Sequence, residues 1–175
     1  MSAPLPAVAA ALLADGPHPD HAGALMLFGQ FVGSWSLDVT WHDAGRPVRR
    51  ARGEWHFAWV LEGRAIQDVW IVPPRAERAA GAEPYEYGTS LRFYDPATGA
   101  WRSTWHGPAR GAVIPFIARA AAGEIVLEGA HPDGRPMRWI FSGIRPDGFR
   151  WRSVATSDGG DTWELLQEFE ARRVG

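Results

Sequence analysis

Hydrophobic and polar residues alternate strictly along residues 34–41. Trp35, Leu37, Val39 and Trp41 interleave with Ser34, Ser36, Asp38 and Thr40. A period of two is that of a half-buried strand. The same habit, cut by short turns, continues to the C-terminus. It predicts strands over 34–42, 50–61, 64–72, 86–94, 100–106, 112–120, 124–130, 135–144, 149–156 and 162–172. The breaks between them carry turn chemistry: Glu62-Gly63, Asp95-Pro96-Ala97-Thr98-Gly99, His131-Pro132-Asp133-Gly134, Arg145-Pro146-Asp147-Gly148 and Ser157–Asp161. Pro115 marks an edge or a bulge.

Ahead of the strands the period changes. Leu25, Phe28 and Val32, with Ala24 and Phe31 beside them, recur at helical spacing and predict a helix over 21–32. Asp20 is its expected N-cap, and Gly33 ends it. Residues 1–18 are rich in Ala and Pro and are expected to be poorly ordered.

Consecutive hairpins make an antiparallel meander. A long meander exposes two edges unless it closes on itself. The predicted fold is therefore all-β: an antiparallel up-and-down closed barrel of about 8–10 strands in one domain over 19–175, with the short helix capping one end. The longest break, 73–85, is the candidate cavity mouth.

Composition narrows the function. A net charge of −2 gives no electrostatic case for nucleic acid or acidic membranes. There is no Cys, which excludes disulfides and thiolate chemistry. All 18 basic residues are Arg, which excludes a Schiff-base or phosphate-loop lysine. No run approaches the roughly 18 apolar residues of a membrane helix, so no membrane insertion is expected. The N-terminus lacks the basic start of a signal peptide, and Pro4 and Pro6 interrupt it. A cytoplasmic monomer or homodimer is expected. The ten Trp residues stand out. They predict either a thick aromatic core or an aromatic-lined cavity.

Gly33-Ser34-Trp35, opening the first strand after a short helix, resembles the start of the lipocalin-like (calycin) barrels. Leu61-Glu62-Gly63-Arg64, and Tyr94-Asp95 ahead of Trp101 and Trp105, extend the resemblance to a bacterial group within them. The match spans about residues 30–172. It implies a barrel whose cavity binds a small, largely apolar molecule. It also implies an Arg near the last strand packed over Trp35, a role open to Arg172 or Arg173. Ten strands point toward the fatty-acid-binding or nitrobindin-like variants, the latter holding haem through a late His. Here no His follows His131, which sits in a turn, so no haem and no other cofactor is expected. Thr156–Trp163 resembles an Asp-box hairpin, and is expected to be a structural turn with Trp163 tucked beneath it.

The aromatic face of each strand is the expected inward face. That places inside Trp35/Trp41, Trp55/Phe57/Trp59, Tyr87/Leu91/Phe93, Trp101/Trp105, Trp139/Phe141, Phe149/Trp151 and Trp163/Leu165/Phe169, with Thr89, Ser103, Ser153 and Gln167 alongside. The third strand is ambiguous: Ala65, Gln67, Val69 and Ile71 form one face, and Arg64, Ile66, Asp68, Trp70 and Val72 the other. With the second face inward, Asp68 is a buried carboxylate that needs Arg64 or Arg92. Burial could tune it for acid–base work. His106 lies at a barrel rim, facing out unless a bulge reverses it.

The expected ligand-binding set is Trp41, Trp55, Trp59, Gln67, Trp70, Thr89, Arg92, Trp105, Trp139, Trp151 and Gln167. The primary functional expectation is binding of a small hydrophobic or aromatic molecule. The alternative is a cofactor-free cyclase or isomerase of natural-product metabolism using the same cavity, with Asp68, His106 and Tyr87 as its catalytic residues. A filled-core interaction domain is the third reading. No metal site is expected: His18 and His21 have no third ligand nearby. Arg49, Arg50 and Arg52 read as a solvated face.

Overall fold

The computed structural model describes residues 4–79 and 85–175. Two helices, α1 (Ala7–Leu12) and α2 (Ala22–Gly29), precede ten strands. The strands are β1 (Gly33–Trp41), β2 (Arg49–Val60), β3 (Ala65–Val72), β4 (Glu86–Asp95), β5 (Ala100–Gly107), β6 (Ala112–Ala121), β7 (Glu124–Ala130), β8 (Pro136–Arg145), β9 (Gly148–Ala155) and β10 (Glu164–Val174). Every neighbour pairs antiparallel, and β1 pairs with β10, so the meander closes into a barrel. Closure removes the two edges that an open sheet would expose.

Alternating strand direction sorts the barrel ends. The starts of odd strands and the ends of even strands share one end, and α2 leads into it. Leu25 and Phe28 from α2 and Phe31 just after it plug that end, each at most 3% exposed. Phe31 meets the rings of Phe57, Phe141 and Phe149 at 4.8–5.8 Å. The helix is shorter than the pattern predicts. It stops at Gly29, and a tighter turn follows, with the Phe31 and Val32 N–H groups donating to Phe28 and Gly29 carbonyls. Asp20 does not cap it: a 3-10 turn over Pro19–His21 comes first, and His21 holds the N-cap position without a side-chain bond.

Arg173 fills the role left open between two arginines. Its guanidinium lies 4.1 Å from the Trp35 ring centre and donates to the Val32, Gln30 and Pro146 carbonyls. It thereby ties the end of the helix to the last strand. Arg172 points out of the barrel and pairs with Asp38 at 2.6 Å. The Asp-box-like hairpin is a turn knit by side chains. Asp158 accepts from the Gly160 and Thr162 amides, and the Trp163 indole N–H donates to Gly160 O at 3.1 Å. Trp163 stacks outside the barrel against Arg138, not inside as its strand pattern suggests.

The segment ahead of α2 runs along the β2–β3 turn, with α1 inside a stretch expected to be poorly ordered. Leu61 N–H donates to Leu12 O, Ala14 N–H to Trp59 O and His18 N–H to Gly63 O. The Leu61-Glu62-Gly63 turn sits at positive φ throughout, and a Cβ on Gly63 would lie 2.1 Å from Gly16 O. That contact explains why the turn needs Gly there. Gly63→Ala is expected to cost about 1–3 kcal/mol and to open the Leu12–Leu13 region to chymotrypsin. Unchanged stability and cleavage would show that this contact does not hold the segment.

Candidate functional site

The other barrel end gathers the ends of β1, β3, β5, β7 and β9 and the starts of the even strands. It holds an open cavity of about 270 Å³. Trp41, Trp70, Trp105 and Trp139 line it, with Ile114, Met137, Ser153, Leu166 and Gln167. These positions converge because each sits on the inward parity of its strand, apart from Leu166 at the β10 register shift, within a few residues of the same end. Trp105 can lie across the wall because its neighbour is Gly88, where a Cβ would sit 2.5 Å from the indole. Trp70 meets Trp105 at 5.5 Å and Trp139 at 6.4 Å between ring centres. Beneath them Trp151 stacks on Phe169 at 4.7 Å, and Trp55 packs among Trp70, Phe141 and Phe169.

Polar and charged side chains ring the mouth in pairs. Arg49 bonds Asp43 at 3.0 Å and lies over the Trp41 ring. Arg110 bonds Glu86 at 2.9 Å and donates to Tyr85 O. Burial raises the Glu86 pKa above its ordinary value, and Arg110 and Arg49 offset part of that. His131 bonds Asp133 at 2.8 Å on the facing turn. Tyr85 meets Trp41 edge-on at 6.1 Å, so the described ends of the 73–85 loop reach the mouth. Residues 80–84 of that loop lie outside the described residues.

Of the expected binding residues, Trp41, Trp70, Trp105, Trp139 and Gln167 come together at this cavity. Trp55 and Trp151 lie below it, and Trp59 lies at the opposite end against Gly29. Gln67 and Thr89 do not reach the interior. They bond each other at 3.0 Å on the outer wall, where Thr89 also donates to Asp68 O. Asp68 and Arg92 are inside but sealed: they form an ion pair at 1% and 0% exposure. The Ser90 N–H also donates to Asp68. The rings of Phe28 and Phe57 cover the Arg92 guanidinium, and burial pulls the Arg92 pKa below its usual range.

The expected inward face of β4 is corrected. Gly88, Ser90 and Arg92 face in, and Tyr87, Leu91 and Phe93 face out. The reason is charge: Asp68 points inward from β3, and only this register brings Arg92 to it. Outside, Phe93 is exposed and lines a surface pocket with His18 and His21, and Tyr87 stacks with Arg78. His106 is exposed on the outer wall, so neither it nor Tyr87 reaches the cavity. In β10 a register shift between Leu165 and Gln167 takes Leu165 off the face shared by Gln167 and Phe169.

Asp43, Arg49, Glu86, Arg110 and His131 were not predicted at the site. The signal that finds them is strand-end parity: each sits in or beside a turn at the open end. Among the described residues no three His, Asp or Glu side chains converge to hold a metal ion. Among them, too, no helix is long and apolar enough to cross a membrane.

No protein-family model matches the chain, and no curated protein sequence does. Solved structures do. The chain is similar to Rv2717c from M. tuberculosis, with TM-score 0.65 and 14% identity, covering 91% of this chain and 99% of that one. It is also similar to the S-type phycobiliprotein lyase CPES from Guillardia theta, with TM-score 0.58 and 12% identity, covering 86% and 92%. At such identities the likeness speaks for the fold alone, and the closed ten-stranded meander fits a lipocalin-like barrel fold.

Proposed function

We propose that the barrel binds a small, largely apolar or aromatic molecule at its open end. The observation that carries this reading is the indole-lined cavity of about 270 Å³ formed by Trp41, Trp70, Trp105 and Trp139. Indole walls beneath a polar rim can hold a small molecule, and ordinary ligand cavities begin at about 300 Å³. The ligand is therefore compact. The likeness in fold to a phycobiliprotein lyase supports a small-molecule role.

Ala112 lines the mouth, and Ala112→Trp would fill it without removing a core side chain. Compact aromatic compounds are expected to raise the melting temperature of the parent chain and not of this variant. Native mass spectrometry before and after denaturation would reveal a ligand carried through purification. Equal thermal stabilisation of both chains would sink the reading.

A cofactor-free cyclase or isomerase acting in the same cavity is the second reading, and one observation favours it. Glu86 lines the cavity with its pKa raised by burial, the direction in which a carboxyl group becomes a better proton carrier. Under this reading Glu86, itself paired with Arg110, takes the acid–base role because it lines the cavity, whereas Asp68 is sealed with Arg92 below it and His106 and Tyr87 face outward.

A further inference from the structure

The cavity's unpartnered polar atoms define what its ligand must carry. Among the described residues, Trp70 Nε1 and Gln167 Nε2 are buried and have no hydrogen-bond partner, although both side chains line the cavity. Trp151 Nε1, on the ring packed 5.3 Å from Trp70, is in the same condition. An indole N–H can only donate. Buried donors left unpaired are costly, and a bound acceptor relieves that cost.

The charged groups of the lining do not supply the complement. Asp43 and Glu86 are at the rim, and each is engaged by an arginine. Deeper in the barrel, Asp68 and Arg92 neutralise each other. The unpartnered groups of the inner wall are therefore donors without net positive charge, beside the Ser153 hydroxyl and the Gln167 amide oxygen. A carboxylate placed there would lose its hydration and gain no counter-ion, whereas a neutral carbonyl meets donors at little desolvation cost.

We infer that the ligand is a planar, uncharged aromatic carbonyl compound that enters oxygen-first, its carbonyl accepting from Trp70 Nε1 and the Gln167 amide. This rests on the binding reading above and names its ligand class.

The test titrates the full chain with three probes on one ring system: 1-acetonaphthone, 1-ethylnaphthalene and 1-naphthoate. Affinities are read by calorimetry. The ketone is expected to bind about tenfold more tightly than the hydrocarbon, the effect of one well-placed hydrogen bond, and more tightly than the carboxylate. Trp70→Phe keeps an aromatic floor and removes the donor. It is expected to remove most of the ketone-to-hydrocarbon preference while the hydrocarbon affinity holds within about threefold. Gln167→Leu, at a half-buried position, is expected to reduce the ratio in part, and it serves if Trp70→Phe does not fold. Equal binding of ketone and hydrocarbon, a preference for the carboxylate, or a ratio that survives both substitutions overturns the acceptor assignment alone. Binding of none of the three, or binding that persists in Ala112→Trp, overturns the cavity reading and this inference with it.

Discussion

Arg92→Met is expected to lower the unfolding free energy by about 3–5 kcal/mol, because it strands the Asp68 carboxylate in the barrel interior. Neither partner has exposed side-chain surface. A lone buried charge cannot recover its lost hydration. For a chain of 175 residues, each kcal/mol lowers the melting temperature by about 2–4 °C, so the variant should melt about 10 °C lower. Asp68→Asn should cost a similar amount from the other side. The double variant Asp68→Leu/Arg92→Met removes both charges and should regain most of the loss, since a paired buried charge adds little net stability over apolar side chains. Urea denaturation at constant m-value measures all three. A single variant costing under about 1 kcal/mol, or a double variant no better than its parents, would show that the pair is not what these residues are for. Ligand binding at the mouth should survive in the double variant, because the pair does not line the cavity.

The second large effect lies at the plugged end. Phe31→Ala should cost about 3–5 kcal/mol, the usual price of deleting a fully packed aromatic ring. Phe31 is 1% exposed, and its ring meets Trp35 at 6.4 Å and Phe149 at 4.8 Å. Its carbonyl also accepts the Trp35 indole N–H at 2.7 Å, so the backbone there is held by the same neighbours it packs against. The surrounding rings are fixed on four strands and on the helix and cannot collapse into the space. Phe31→Leu should lose much less. Equilibrium unfolding gives both values. A loss below about 1 kcal/mol for the Ala variant would mean that the helix merely rests on the barrel.

The sequence showed the ten strands to within about two residues at most boundaries, because turn residues and a period of two are local signals. The helix was legible from its stripe. Its end was not, because the chain tightens after Gly29 to bring Phe31 into the plug. The aromatic cavity was legible in part. Trp41, Trp70, Trp105 and Trp139 sit on faces whose neighbours are apolar, so alternation alone orients all but Trp70. Trp70 lies on a strand with two plausible faces, and β4 has its aromatic face outside. Both were decided by one long-range pair, Asp68 with Arg92. No local pattern contains that interaction.

What the chain alone determined is the meander: where each strand starts, where it turns, and hence that it must close. Those properties depend on side-chain alternation and on Gly, Pro and Asp at turns, all of which act within a few residues. What only the tertiary structure decided is which groups meet. Closure by β1 with β10 sets Arg173 over Trp35. Antiparallel order puts Asp43, Glu86, Arg110 and His131 around one mouth although they are far apart in sequence. A buried charge turned one strand over, because leaving a carboxylate unpaired in an aromatic interior costs more than exposing Tyr87 and Phe93 to solvent.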